Sequence, residues 1–305
     1  MEKVLMGRTQ TIRKKQNIRL WIIVVVAIII LLALKLYKPV PTKAMMLLIE
    51  FEETKGLKNW ANELKERNMP GVILVQHNIV DEHCSDIKHL SEMGFEISGL
   101  YAAEAFWNKN YTFQYENMKE VKDKIENCTG KVMRSFGSRY FAYDEITLKV
   151  AEELGIQYIF ARGTTGARAT VYKPEEYNVK IISVSNVPSK EWGTGSLCDY
   201  SLWARGESPS DFETIAIQSF NSNDKVILVS HAYLGGTKLR WWNAYQKVLD
   251  TVNAEWLTLD EFAVVDYETP FAKIPVNREV KYEVPKPKIP LEEEPECLSE
   301  ELACY

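Results

Sequence analysis

The sequence is short of the residues from which metal centres and disulfide scaffolds are built. Of 305 residues, five are cysteine and four are histidine. No two cysteines form a C-x-x-C pair, so a zinc ribbon or a cysteine-stapled fold is excluded. Glycine and proline number only 15 and 12, which excludes collagen-like repeats and wholesale disorder. A basic excess is missing too: the net charge is −5, although residues 1–19 carry six Lys/Arg against one Glu and residues 265–305 carry five against ten Asp/Glu. Nucleic-acid surfaces need concentrated positive charge, so no nucleic-acid partner is expected. What remains is a globular composition, 46% hydrophobic and 26% charged, long enough for one large domain or two small ones.

Long apolar runs are absent with one exception. Residues 20–34, LWIIVVVAIIILLAL, are unbroken between Arg19 and Lys35. Fifteen residues at a rise of about 1.5 Å fall short of a bilayer core of about 30 Å. Leu36 and Tyr37 extend the run, and the flanking cations can reach the interfaces. The nineteen residues before it offer nothing to cover it in a soluble core. A cleaved signal peptide is the main competitor, but no A-x-A-like site follows. The expectation is one uncleaved transmembrane signal-anchor over residues 20–37, with a cytoplasmic basic segment at 1–19. The positive-inside rule then exports everything after it, and the lipid bilayer is a partner through the anchor. Two N-x-T sequons, at Asn110 and Asn127, fit an exported domain. Cys297 and Cys304 lie close enough in sequence to pair.

After a linker at 38–44, short apolar runs alternate with amphipathic stretches. Residues 45–51, 72–76, 95–100, 131–136, 156–160, 179–184, 226–230 and 255–259 read as strands. Helices fall at 57–67, 81–93, 116–127, 143–154, 211–220 and 241–252. Such alternation means parallel βαβ units. The fold class is α/β, and a (β/α) barrel of seven or eight parallel strands over 45–264 is expected. A doubly wound open sheet is the alternative. Residues 265–305, with six of the twelve prolines and an LEEEPE run, read as an extended tail.

In either architecture the site lies at the C-terminal strand ends. Those ends bring up Glu50, Glu52 and Glu53, then His77, then Tyr101 and Glu104, then Arg134 and Arg139, Arg162, Ser185 and Asn186, and His231. The loop at 189–209 is long enough to cover the mouth and carries Trp192, an aromatic on which a sugar could stack. Each of these also has a plain structural role open to it. A glutamate at a strand end is commonly a solvated charge, and His83 and His89 fall on a helix surface.

Three stretches resemble the polysaccharide deacetylase (NodB-homology) family of carbohydrate esterases. They are GKVMRSFGSRYFAYDEITLKVAEELGIQYIF at 130–160, VILVSH at 226–231 and EWLTLDEF at 255–262. The resemblance implies a barrel that removes acetyl groups from cell-surface polysaccharide, with a divalent metal held by an Asp-His-His set. It makes His231 the general acid and Glu52 the general base. Glu53 and Glu104 become the surviving metal-side carboxylates. By their place at strand ends or in the long loop, and not by the resemblance, His77, Tyr101, Arg134, Arg139 and Trp192 are expected to contact substrate. The metal motifs depart from the family: Glu52 and Glu53 replace two aspartates, and Leu100 and Glu104 replace two histidines. A catalytically degenerate barrel that binds glycan or a partner protein is therefore the alternative. The topology is testable directly. Protease added to intact cells should remove the barrel and spare the first twenty residues; a protected barrel would contradict it.

Overall fold

The computed structural model describes residues 40–189 and 193–276, together with Trp21 and Val26. The remainder of the expected anchor, Trp192, Cys297, Cys304 and most of the Pro/Glu-rich segment lie outside the described residues. Among the described residues no helix is long and apolar enough to cross a membrane.

Strand β1 (Thr42–Glu50) is buried at every position but Lys43, as a strand covered on both faces must be. The chain continues through α1 (Lys55–Glu66), β2 (Val72–Gln76), α2 (His77–Glu92), β3 (Glu96–Tyr101), α3 (Tyr111–Thr129), β4 (Ser135–Ser138), α4 (Glu145–Glu153) and β5 (Tyr158–Thr165). Then come β6 (Thr170–Pro174), β7 (Lys180–Pro188), β8 (Thr194–Ser196), α5 (Asp199–Trp203), α6 (Pro209–Ser222) and β9 (Lys225–His231). The last elements are α7 (Ala232–Gly235), α8 (Leu239–Thr251), β10 (Ala254–Trp256), α9 (Leu259–Phe262) and β11 (Tyr267–Thr269).

Seven strands run parallel in the order β9-β1-β2-β3-β4-β5-β7. The gap between β7 and β9 is strapped by one residue. Leu197 N–H donates to Ser185 O at 2.8 Å, and Leu197 O accepts from Val229 N–H at 3.1 Å. The result is a seven-stranded parallel barrel. Strand side chains alternate across it. Met45, Leu47, Ile49, Leu74, Ile182 and Val229 pack in one core cluster. Met46, Leu48, Ile73 and Val75 pack in another with helical residues such as Leu57, Trp60 and Trp241. Gly56 permits a close approach: a Cβ there would meet Ala232 O at 1.9 Å, so only glycine lets α1 seat against α7.

The structure moves several expected boundaries. The fourth strand begins at Ser135 rather than 131, which leaves Arg134 at the N-terminal end of the barrel. The eighth expected strand is cut short. β10 pairs only with Thr42–Ala44 at the start of β1, and Thr258 then forms a capping box with Glu261 that opens α9. The T-L-D-E stretch is thus a helix start rather than strand continuation. β6 runs antiparallel to β7, and β11 parallel to β6. Secondary structure therefore passes residue 264. Asp266 accepts from Val171 N–H at 2.8 Å and Lys225 Nζ at 2.9 Å, and Ile274 is buried.

A disulfide joins Cys84 of α2 to Cys128 of α3. Cross-linking residues 44 apart stabilises the fold by about 4 kcal/mol on loop-closure grounds. Cys198 is free and buried.

Candidate functional site

The parallel strands end on a common rim, where a cleft of about 460 Å³ opens. Ile49, Phe51, Leu100 and Phe141 supply apolar wall, while Arg139, Arg162, Arg205 and His231 supply charge or a titratable group. Tyr140 and Phe141, on one side, have φ of 61° and 54°. Two successive non-glycine residues in the left-handed region are strained, and such strain gathers at functional sites.

His231 ends β9, and its side chain is 14% exposed. Its Nδ1 lies 3.1 Å from Oδ1 of Asp199, which is fully buried. Asp199 also accepts from His231 N–H at 3.0 Å, Tyr200 N–H at 2.6 Å and Ser230 Oγ at 2.9 Å. A carboxylate only accepts, so Nδ1 carries the proton of this bond and Nε2 is the nitrogen left for chemistry. The Tyr200, Phe51 and Tyr233 rings surround the imidazole at 5.0, 6.1 and 6.1 Å between centroids. Cys198 fixes where α5 begins, its Sγ accepting from Ser201 N–H at 3.2 Å.

Sequence reasoning did not identify Asp199. It sits in the segment read as a polar loop, where one aspartate among glycines and serines carries no period. The available signal was its place inside LCDYSLW, where apolar neighbours imply a buried acid.

The strand ends sort by the alternation of side chains. Gln76 lines the cleft, whereas His77 opens α2 and interacts electrostatically with Glu120 on α3. Tyr101 packs on Phe106 and Phe113. Glu104 is exposed and ion-paired to Lys109. Arg134, at the opposite end of the barrel, pairs with Glu96 at 2.8 Å and Asp260 at 2.9 Å. Arg139 does line the cleft. Glu52 and Glu53 are exposed on the turn after β1. Burial and the Glu53 charge push the Glu52 carboxyl up, while His231 draws it down, which puts Glu52 within electrostatic reach of the imidazole. Of the expected site residues, His231 and Arg139 line the cleft; Glu52 lies within electrostatic reach of His231 but, like Glu53, His77, Tyr101, Glu104 and Arg134, is not part of the lining.

Glu50 shapes that turn. It is fully buried, and its Oε1 accepts from Phe51 N–H at 2.8 Å, Glu52 N–H at 2.7 Å and Glu53 N–H at 3.4 Å. Its Oε2 is buried without a hydrogen bond.

Comparison with known proteins supplies the frame for this geometry. A family model described as polysaccharide deacetylase matches residues 38–159. Over those residues the chain resembles polysaccharide deacetylases. No curated protein matches it. Among solved structures, a Mycobacterium smegmatis protein assigned as a polysaccharide deacetylase is 13% identical with a TM-score of 0.57, over 75% of this chain and 91% of that one. A peptidoglycan N-acetylglucosamine deacetylase is 12% identical with a TM-score of 0.52, over 75% and 91%. A Bacillus anthracis pseudoenzyme of carbohydrate esterase family 4, mutated to restored activity, is 9% identical with a TM-score of 0.51, over 76% and 70%. At such identities the likeness concerns the fold. The family match stops before Asp199 and His231, so their pairing rests on geometry alone.

That resemblance raises the question of a divalent metal. Cys198, Asp199 and His231 are the one group of three donors among the described residues, with one ligand atom each within 4.8 Å of the others. Their chemistry fits an ion poorly. Burial pushes the Cys198 thiol up, away from the thiolate a metal needs, and Asp199 is occupied by protein donors. The implied histidine positions hold Leu100 in the cleft wall and the Lys109-paired Glu104.

Glu50 yields a pH prediction. Burial raises its pKa from 4.5 to about 7, against the three N–H groups that lower it. The folded state then holds this proton more tightly than the unfolded chain does. Its contribution falls as pH rises from 4.5 to about 7, by up to about 3 kcal/mol, and is flat above. Glu50→Gln should remove that slope and melt higher than wild type at pH 8 but not at pH 4.5. Melting curves that shift in parallel at both pH values would contradict it.

Proposed function

We propose that the barrel takes an N-acetylated glycan of the cell envelope into the cleft beside His231 and hydrolyses its acetamide. The observation that carries this reading is the Asp199–His231 pair at the cleft wall. In the reaction, water adds to the acetyl carbonyl and gives a proton to Glu52. The C–N bond breaks, the departing amine takes a proton from Nε2 of His231, and acetate leaves. Asp199 orients the imidazole and stabilises it while both nitrogens are protonated. Proton exchange with solvent returns Glu52 and His231 to their starting states. No metal takes part in this scheme.

The protein is further proposed to be anchored by residues 20–37 with the barrel outside the cytoplasm. The apolar run and the basic segment before it support this. So does the Cys84–Cys128 disulfide, a bond that persists in oxidising compartments.

A second reading, glycan binding without turnover, is favoured by Leu100 and the Lys109-paired Glu104 at the metal positions. Acetate release from N-acetylated oligosaccharide separates the two. The full chain should release acetate, and His231→Ala should lower the rate at least about 100-fold, the span of a lost acid catalyst. Asp199→Asn should also lower it, more in kcat than in KM. Bound oligosaccharide with no acetate released by the wild-type chain would overturn hydrolysis and leave the binding reading.

A further inference from the structure

We infer that the Gln76 carboxamide donates to the acyl carbonyl oxygen of the substrate and stabilises that oxygen as it becomes an oxyanion. The inference rests on the hydrolytic reading above for the identity of the substrate. Its starting point is a side chain that the fold leaves unused. Gln76 ends β2 with φ of −79° and ψ of 153°, at the position from which a residue can cap α2. Its side chain makes no such cap, since the residues that cap well are shorter. Among the described residues it has no other hydrogen-bond partner. A carboxamide carries two N–H donors and one acceptor, and this one is half-buried in the lining of the cleft.

Strand alternation decides which way the side chain points. Leu74, two residues earlier, packs in the inner cluster with Ile49, whereas Val75 packs in the outer cluster with the helices. Gln76 therefore continues the inner face beyond Leu74 and reaches the mouth. β1 lies between β2 and β9, and its Ile49 pairs with Leu74 on one side and His231 on the other. Gln76 and His231 thus stand on the two strands that flank the one whose C-terminal turn carries Glu52. Two strand spacings and a two-residue offset put their Cα atoms about 12 Å apart. With both side chains directed inward, the space left between them is that of one small planar group such as an acetamide.

The three strand ends then divide the reaction. Glu52 faces the attacking water, His231 the departing nitrogen and Gln76 the carbonyl oxygen. When the water oxygen bonds to the carbonyl carbon, the π pair moves onto the carbonyl oxygen and the water proton goes to Glu52. The charge on that oxygen strengthens a hydrogen bond that is ordinary in the ground state. When the C–N bond breaks, the pair returns to the carbonyl, and Gln76 keeps both of its protons throughout.

Neighbouring groups of the wall are less well placed for this task. Leu100, the register partner of Gln76 on β3, stands where the resemblance implies a metal-binding histidine and offers no polar side-chain atom. The Ser138 hydroxyl donates to Ala142 O, and Arg139 donates to Ala103 O at 2.8 Å. The Tyr200 ring leans on the imidazole, with centroids 5.0 Å apart, so it shares the side of the mouth from which the acid acts.

The test uses the full chain in neutral detergent and an N-acetylated oligosaccharide labelled with carbon-13 at the acetyl carbonyl. Gln76→Ala should lower kcat for acetate release about 100-fold, the effect of losing one oxyanion donor, with KM changed by less than about threefold. Gln76→Glu keeps the side-chain length but replaces the donor with an acceptor, and should be no faster than Gln76→Ala. It also keeps the inference testable if the alanine variant fails to fold. A carboxamide does not titrate, so the pH profile of Gln76→Ala should keep the wild-type shape at lower height. The carbonyl resonance of bound oligosaccharide should move downfield with the wild-type chain and lose most of that displacement with Gln76→Ala. A kcat for Gln76→Ala within about threefold of wild type would overturn the inference and leave hydrolysis standing. If the wild-type chain binds the oligosaccharide without releasing acetate, hydrolysis fails and the carbonyl resonance decides the contact. A displacement that depends on Gln76 sustains it, and one that does not refutes it. Neither binding nor release would refute both.

Discussion

The site depends on one buried carboxylate. Asp199 has no exposed surface, and a carboxylate in that position is tolerable only if its oxygens are hydrogen-bonded. Its donors come from three directions: the His231 and Ser230 end of β9, the first turn of α5, and the imidazole itself. Satisfying the acid therefore fixes the end of β9 against the start of α5. The same arrangement sets the histidine tautomer and directs Nε2 away from Asp199. The strap at Leu197, two residues earlier, closes the barrel between β7 and β9. Barrel closure and the orientation of His231 are thus settled within a few residues of each other.

Around that pair, strand alternation decides which residues meet. Gln76 lines the cleft, and its successor His77 begins a helix and interacts with Glu120. Ile49 lines the cleft, while Glu50 turns away and becomes the buried acceptor for the turn carrying Glu52 and Glu53. Leu100 stands in the wall where the family resemblance implies a metal-binding histidine. The wall also carries Arg139, Arg162 and Arg205.

The barrel was legible in the sequence because its strands are apolar and its helices amphipathic. β1, β2, β3 and β9 fall within a few residues of where hydrophobic runs place them, and His231 is found by following β9 to its end. Short or edge elements were not legible. β6 and β11 carry too little apolar period to announce themselves. β4 is only four residues long, so its start could be misplaced by four, which put Arg134 at the wrong end of the barrel. The tail contains Asp266, whose partners Lys225, Arg168 and Val171 are all distant in sequence. Asp199 escaped for a related reason: its role comes entirely from long-range contacts, and local composition there reads as loop.

The proposed hydrolysis depends on the orientation of one imidazole. With only four histidines in the chain, ring nitrogen NMR of histidine-labelled protein can assign His231 and read its tautomer directly. The neutral ring should carry its proton on Nδ1, facing Asp199, with Nε2 unprotonated. A neutral ring protonated on Nε2 would contradict the pairing with Asp199 and, with it, the catalytic role given to His231.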